Sequence, residues 1–216
     1  MDTTTVQLLR HGRVENPGRV LYGRLPGYHL SVLGLRMAEA SAACLKDVPL
    51  THLRYSPLER AWGTMAPVAA SPSSRSSSTT GSSRPTTSSP ARSSGRSRGP
   101  CSARRNWWLL RNPFRPRWGE PYVDIVAPMK AAVLDAAEAA GPGGQALIVS
   151  HQLPIWMMRG HAEGRRLLHD PRRRECTLAS VTSIMLVDGR IAGVDYAEPA
   201  RHLLPSSKTT KYVAGT

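Results

Sequence analysis

Apolar and polar residues alternate along the chain with the two periods expected of strands and helices. Short apolar runs at residues 6–9, 51–55 and 146–149 predict buried strands. Longer amphipathic stretches at residues 31–46 and 120–140 predict helices, the first with a serine at its N-cap and the second ending at a Gly-Pro pair. Strands that alternate with helices in this way are typical of an α/β protein.

Two further signals mark where elements begin and where the chain reverses. Ser56 and Glu59 have the spacing of a capping box, and Pro57 lies at the first helical position, so the pattern predicts a helix that starts here. Alternating residues on both sides of Asp188-Gly189 predict a β-hairpin, because this dipeptide favours tight hairpin turns.

One segment interrupts the α/β pattern. Residues 71–103 consist almost entirely of Ser, Arg, Thr, Pro and Gly, with no acidic, aromatic or large aliphatic residue. Such a composition cannot bury a core, so we predict that the segment is disordered. We therefore predict a single domain over residues 1–205 that contains this aberrant low-complexity segment, followed by a flexible polar tail at residues 206–216.

The same segment has the composition that a shifted reading frame produces. GC-rich coding sequence translated out of frame yields mainly Ser, Arg, Pro, Thr, Gly and Ala. One permitted set of codons for residues 78–89, translated from one base earlier, encodes Leu-Asp-Asp-Arg-Leu-Ile-Glu-Ala-Asp-Asn-Val-Phe. That hidden sequence has the apolar and acidic pattern that the visible segment lacks. We predict a frameshift across residues 71–103, with the original frame restored shortly before Asn106.

Composition narrows the class of protein. Lys and Arg total 29 against 15 Asp and Glu, and the formal net charge of +14 suits either a nucleic-acid partner or a small anionic substrate. The three cysteines, Cys44, Cys101 and Cys176, form no Cys-x-x-Cys pair, which argues against a disulfide scaffold and a zinc site. Neither a secretory signal nor a membrane helix is predicted, so we expect a soluble cytoplasmic protein without a membrane partner.

Residues suited to phosphate follow three of the predicted strands. Arg10 and His11 end the first strand, Arg60 lies in the helix after the second, and His151 follows the third. Because the carboxyl ends of parallel strands share one sheet edge, we expect these four side chains to converge. Guanidiniums can clamp a phosphoryl group, one imidazole can attack phosphorus, and the other can donate to an oxygen. No metal-ligand spacing is visible, so we expect neither a metal nor a cofactor.

Three motifs in this order resemble those of a known family. Leu9-Arg10-His11-Gly12, Ser56-Pro57-Leu58-Glu59-Arg60-Ala61 and Val149-Ser150-His151 are similar to motifs of the histidine phosphatase superfamily, and the resemblance covers most of residues 4–200. It implies the phosphoglycerate mutase-like fold, an α/β three-layer sandwich with a mostly parallel central sheet flanked by helices. It also implies a phosphohistidine intermediate on His11, with the phosphoryl group held by Arg10, Arg60 and His151.

The resemblance also includes two substrate-binding positions, but the chain differs from the family at the position of the proton donor. It implies substrate-binding roles for Asn16 and Arg24. The family carries an acid, usually Glu, between the second helix and the middle of the chain, where it protonates the leaving oxygen. Here that place is occupied by residues 71–103, which contain no acid, and the substitutes that remain match no family motif: Glu120, Asp124 and Asp170. In the shifted frame the missing Glu is spelled across the codons of Ser83 and Arg84.

Four functions are compatible with these features. The resemblance implies a phosphomonoester hydrolase, or phosphatase, for a small phosphorylated substrate. Phosphoglycerate mutase-type phosphoryl transfer is an alternative, and the missing acid leaves open an impaired protein that only binds phosphorylated ligands. A different class is a basic nucleic-acid-binding protein that would use the Arg/Ser segment and the Trp- and Arg-rich residues 106–118. We do not expect a nucleic-acid partner, because the three ordered motifs are specific to the phosphatase family.

Overall fold

The computed structural model describes residues 2–18, 20, 22–23, 25–71, 78–81, 122–170 and 173–204. Strands and helices alternate through most of these residues, which confirms the α/β class. In chain order the elements are β1 (Thr3–Arg10), α1 (Val32–Cys44), β2 (Leu50–Tyr55), α2 (Glu59–Ala69), β3 (Ser78–Gly81), α3 (Tyr122–Ala140), β4 (Gln145–Ser150), α4 (Gln152–Ala162), β5 (Val181–Val187) and β6 (Arg190–Ala197). No helix in these ranges is long and apolar enough to cross a membrane.

The described strands form one mixed sheet in the order β3-β2-β4-β1-β5-β6. Neighbours are parallel from β3 to β1, whereas β5 is antiparallel to β1 and β6 is antiparallel to β5. The expectation of a mostly parallel sheet is therefore corrected to a sheet with a parallel and an antiparallel part. The predicted hairpin is one cause, because Asp188 and Gly189 have positive φ angles of 48° and 73° and reverse the chain tightly.

Helices cover both faces of the sheet, as the three-layer prediction requires. Successive strand residues point to opposite faces, so the apolar strands β1 and β4 are buried on both sides. Val6 and Ile148 pack in a cluster with residues of α3 and α4. Leu9 and Leu147 pack in a second cluster with residues of α2 and the segment that follows α1. The central strands are consequently held rigidly, and their carboxyl ends form a fixed platform.

The starts of the first two helices depend on different partners. Ser31 caps α1 as predicted, since its side chain accepts a hydrogen bond from a backbone N–H of the first turn. The second helix begins at Glu59, two residues after Pro57, and its N-cap Leu58 makes no side-chain cap bond. The predicted capping box is therefore wrong, because tertiary partners engage the hydroxyl of Ser56 and the carboxylate of Glu59 instead.

Part of the low-complexity segment forms an edge strand. Residues 78–81 are β3, which pairs in parallel with β2 from His52 opposite Ser78 to Tyr55 opposite Gly81. The prediction of disorder is wrong for these four residues, because strand pairing uses backbone N–H and C=O groups that every residue except proline offers. Apart from Ser71, the rest of residues 71–103 lies outside the described residues, as do residues 106–118 and the tail at 206–216.

Candidate active site

Parallel strands that end side by side bring the two predicted histidines together. Arg10 at the end of β1 pairs with Ser150 at the end of β4. One residue further on, the N–H of His11 donates to the carbonyl oxygen of Ser150 over 3.1 Å, which extends the ladder past the strand. His151 follows directly, and the ring centroids of His11 and His151 lie 5.1 Å apart with an angle of 65° between the planes.

The hydrogen bond that His11 makes determines its tautomer. Its Nδ1 lies 2.8 Å from the carbonyl oxygen of Gly12, which can only accept, so Nδ1 carries the proton. The lone pair of the neutral ring is then on Nε2. Burial lowers the pKa of His11 well below 6.5, and His151, Arg10 and Arg60 lower it further by charge repulsion, while the bond to Gly12 opposes the change. His11 is therefore neutral at physiological pH, with the lone pair of its ring on Nε2.

Two buried guanidiniums lie around this imidazole. Arg10 is 5% exposed and donates from Nη1 to the carbonyl oxygen of Cys176 over 2.6 Å. Arg60 is 2% exposed, donates from Nη2 to the carbonyl oxygen of Gly23 over 2.5 Å, and stacks 4.9 Å from the ring centre of Tyr22. Among the described residues nothing accepts a hydrogen bond from Arg60 Nε. A buried cation with an unused donor favours an anionic ligand.

A buried threonine fixes the loop that carries His11. The hydroxyl of Thr64 accepts from the N–H of Gly12 over 3.0 Å and donates to the carbonyl oxygen of Arg60 over 2.8 Å. Gly12 must remain without a side chain, since a methyl group there would lie 2.6 Å from the carbonyl oxygen of Gly34. The sequence analysis missed Thr64, although its position one helical turn after Arg60 is a signal that the two side chains act together.

Ser56 and Glu59, which the sequence pattern assigned to a capping box, contact residues remote along the chain instead. The hydroxyl of Ser56 lies 2.9 Å from Nε2 of His151. The carboxylate of Glu59 accepts from the N–H of Gly27 over 2.8 Å and lies 3.6 Å from Nε2 of His29, so it fastens the loop before α1 to α2. Nothing local in the sequence distinguishes these contacts from a helix cap, because both partners are remote along the chain.

The two predicted substrate residues have different outcomes. Asn16 closes a turn, since its side-chain amide donates to the carbonyl oxygen of Val20 over 2.9 Å and its oxygen accepts from the N–H of Val20 over 3.0 Å. These bonds hold the loop after His11, and the substrate-binding role of Asn16 stays a prediction. Arg24 lies outside the described residues, and its role stays a prediction as well.

Of the three acids considered as substitutes, Asp124 has the most favourable place in the topology. It is exposed in the first turn of α3. Because α3 leads into β4 and runs antiparallel to it, the first turn of α3 lies towards the carboxyl edge of the sheet, where His151 lies. Asp170 is exposed between α4 and β5, and Glu120 lies outside the described residues. Within the described ranges no three His, Cys, Asp or Glu side chains could hold a metal ion.

This fold agrees with what the chain resembles among known proteins. The sequence model of the family described as the histidine phosphatase superfamily (branch 1) matches residues 6–79 and 98–198 of this chain. An uncharacterized protein of Mycobacterium tuberculosis (strain H37Rv) is 46% identical over 203 residues, which cover 92% of this chain and 98% of the relative. The chain therefore belongs to the histidine phosphatase superfamily, and the resemblance inferred from its three motifs is confirmed.

Solved structures share the same architecture. The Bacillus stearothermophilus protein YhfR superposes with a TM-score of 0.65 at 21% identity, covering 88% of this chain and 94% of that one. A phosphoserine phosphatase from Entamoeba histolytica gives 0.63 at 16% identity, covering 93% and 100%. A mycobacterial glucosyl-3-phosphoglycerate phosphatase gives 0.62 at 18% identity, covering 90% and 96%. At these identities the similarity establishes the phosphoglycerate mutase-like fold and not the substrate.

Proposed function

We propose that this protein is a phosphomonoesterase that works through a phosphohistidine on His11. The observation that carries the proposal is the state of that ring, which is buried, neutral and protonated on Nδ1, so that Nε2 presents its lone pair beside Arg10 and Arg60. A surface histidine would lack both the fixed tautomer and the buried cations. The burial of these groups also favours a small phosphorylated substrate over a nucleic acid.

The reaction follows from these placements in two steps. His11 Nε2 attacks phosphorus, the P–N bond forms, and the ester P–O bond breaks as the alcohol leaves with a proton. Water then attacks the phosphorus of the phosphohistidine, the P–N bond breaks, and inorganic phosphate leaves as neutral His11 is restored. Arg10, Arg60 and His151 stabilise the charge on the other phosphoryl oxygens in both steps. Because the His151 ring lies beside His11, it contacts these oxygens and not the leaving oxygen on the opposite side of phosphorus.

The site lacks an evident donor for the proton that the leaving alcohol requires. The family acid has no counterpart in residues 71–103, and of the three acids considered above, Asp124 has the most favourable place to replace it. Without a donor, aryl phosphates should be hydrolysed far faster than alkyl phosphates, because a positioned general acid typically contributes about 10²–10⁴-fold. The ratio of kcat/KM for p-nitrophenyl phosphate to that for glycerol phosphate measures this. Equal rates that fall together in Asp124→Asn would identify Asp124 as the donor.

A trapping experiment tests the phosphohistidine directly. Brief incubation with a ³²P-labelled aryl phosphate, followed by denaturation, should leave an acid-labile and base-stable label on the protein. The label should be absent from His11→Ala and present in His169→Ala, which removes another partly buried histidine. Label that persists in His11→Ala would reject the assignment. Release of inorganic phosphate, as opposed to an isomerised phosphoester, separates the phosphatase from the mutase alternative.

Whether residues 71–103 arose by a frameshift decides whether the gene encodes the missing acid. Between residues 6 and 198 the family model leaves only residues 80–97 unmatched, which supports a frameshift over those residues; it matches residues 71–79 and 98–103 as they stand, so the predicted bounds of 71–103 are wider than this support. The hidden frame would supply the missing Glu from the codons of Ser83 and Arg84. Independent sequencing of the gene across residues 65–110 tests this. Restoring the frame should raise kcat/KM for glycerol phosphate, whereas unaltered Ser and Arg codons in an enzyme that already hydrolyses this alkyl ester would end the idea.

A further inference from the structure

Tyr22 is a buried phenol beside the guanidiniums of the site, and the two-step reaction does not use it. Only 4% of its surface is exposed. Its ring centre lies 4.9 Å from Cζ of Arg60 and stacks 4.8 Å from the ring centre of Tyr28. Within the described ranges its hydroxyl forms no hydrogen bond. Buried tyrosine hydroxyls usually have a partner, so this O–H is available to a ligand.

The loop that carries Tyr22 is fastened to the first turn of α2 at two points. Nη2 of Arg60 donates to the carbonyl oxygen of Gly23, the residue after Tyr22. The N–H of Gly27 donates to the carboxylate of Glu59 over 2.8 Å. Because α2 packs on the sheet, these bonds hold the phenol ring against Arg60 and fix its place at the site.

The electrostatic surroundings of Tyr22 suit a group that gives up a proton and takes it back. Burial raises the pKa of the phenol above its usual 10.0, so the hydroxyl is protonated at physiological pH. The charges of Arg60 from α2 and Arg10 from the end of β1 oppose this rise, which places both guanidiniums within electrostatic reach of the phenol oxygen. The same two cations would stabilise the phenolate that remains after the proton has left.

We propose that Tyr22 is the catalytic acid that protonates the leaving oxygen, in place of the carboxylic acid that residues 71–103 lack. As Nε2 of His11 forms the P–N bond, the ester P–O bond breaks and the leaving oxygen takes the proton of the phenol. The resulting phenolate takes a proton from the water that attacks the phosphohistidine, so inorganic phosphate is released and both side chains return to their starting states. This inference rests on the proposed phosphatase reaction and names its proton donor.

A comparison of leaving groups tests whether the hydroxyl donates a proton. Tyr22→Phe should lower kcat/KM for glycerol phosphate by about 10²–10⁴-fold, the usual contribution of a positioned general acid. It should change kcat/KM for p-nitrophenyl phosphate little, because p-nitrophenolate leaves without a proton. Tyr28→Phe, which removes the hydroxyl of the stacked ring, should change neither. Tyr22→Phe keeps the ring beside Arg60 and removes an O–H without a protein partner, so urea unfolding should show no loss of stability.

Other outcomes would overturn the role of Tyr22. An equal loss for both esters in Tyr22→Phe would mean that the hydroxyl acts on the phosphoryl group, which both substrates share. Unchanged rates for both would exclude any role in the reaction. A selective loss for glycerol phosphate in Asp124→Asn, with none in Tyr22→Phe, would assign the proton to that carboxyl group.

Labelling distinguishes a failure of this inference from a failure of the reaction on which it rests. Tyr22→Phe should still form the phosphohistidine label from the aryl phosphate. An unmodified enzyme that forms the label but does not hydrolyse glycerol phosphate would overturn only the role of Tyr22. Absence of label in the unmodified enzyme would reject the phosphatase proposal itself.

Discussion

His11 and His169 share the same local arrangement at Nδ1 and differ in what surrounds the rest of each ring. Each donates Nδ1–H to a nearby backbone carbonyl oxygen, that of Gly12 at 2.8 Å and that of Leu167 at 2.7 Å. Burial is the largest cause that lowers the pKa of each ring. The difference lies at Nε2. In His169 this nitrogen accepts from Nε of Arg174 over 2.8 Å, whereas within the described residues no donor engages Nε2 of His11.

The arginines around the two histidines differ in the same way. Near His169, Arg159 and Arg165 form ion pairs with Glu163 and stack on the ring of Trp156. Their charge is compensated inside the protein. Near His11, the buried guanidinium of Arg60 bonds to a backbone carbonyl, and no ion pair compensates it among the described residues. Residue type is therefore a poor guide to function. Polar side-chain atoms that make no hydrogen bond or ion pair among the described residues are a better guide.

Removing each histidine should produce the largest contrast. His11→Ala should lower kcat/KM for p-nitrophenyl phosphate by roughly 10⁴–10⁶-fold, as expected when a nucleophile is lost. His169→Ala should keep kcat/KM within the same order of magnitude, because its Nε2 is occupied by Arg174. Steady-state kinetics of both purified variants checks this. Comparable losses in the two would mean that the occupied ring takes part in the reaction.

Removing one arginine from each region should give an intermediate effect. Arg60→Ala should weaken binding of vanadate by about 10- to 150-fold, since a charged hydrogen bond contributes about 1.5–3 kcal/mol. Arg166→Ala, which removes an exposed cation of the loop after α4, should leave the inhibition constant almost unchanged because exposed charges are screened. If both variants bind vanadate as the unmodified enzyme does, Arg60 is only a structural part of its helix.

Acidification should produce the smallest effect, a loss of folding stability to which both histidines contribute because the pKa of each is lowered. The pKa of His11 is lowered in the folded state, so between that value and about 6.5 the unfolded chain binds more protons. The free energy of unfolding is therefore complete above about pH 6.5 and falls as the pH decreases through this window, by at most about 1.4 kcal/mol per pH unit for one histidine. Urea unfolding at several pH values measures the slope. His11→Gln should reduce it, and an unchanged slope would contradict the lowered pKa.

Much of the site could be anticipated because it depends on chain order and strand topology. Buried apolar runs that end in Arg10-His11 and in Ser150-His151 need only be parallel neighbours to bring both histidines together, and β1 and β4 are such neighbours. The residues that hold the site could not be anticipated in the same way. Thr64 and Ser56 act through partners 52 and 95 positions away along the chain, where local patterns carry no signal.

The errors have the same origin. Ser56 and Glu59 match a capping box, but tertiary partners compete for both side chains and win because those partners are held by rigid strands and by the loop before α1. The edge strand β3 was missed because its pairing uses the backbone of residues 78–81 and not their side chains. Apolar periodicity cannot detect a strand of that kind.

The amino-acid sequence by itself determined the α/β class, the family and the order in which Arg10, His11, Arg60 and His151 enter the site. These follow from periodicity and motifs, which are local properties of a chain. Only the tertiary structure decided which nitrogen of His11 carries the proton, that Nε of Arg60 has no hydrogen-bond partner among the described residues, and which hydroxyl contacts His151. Those properties depend on burial and on contacts between remote residues, and both exist only once the strands lie side by side.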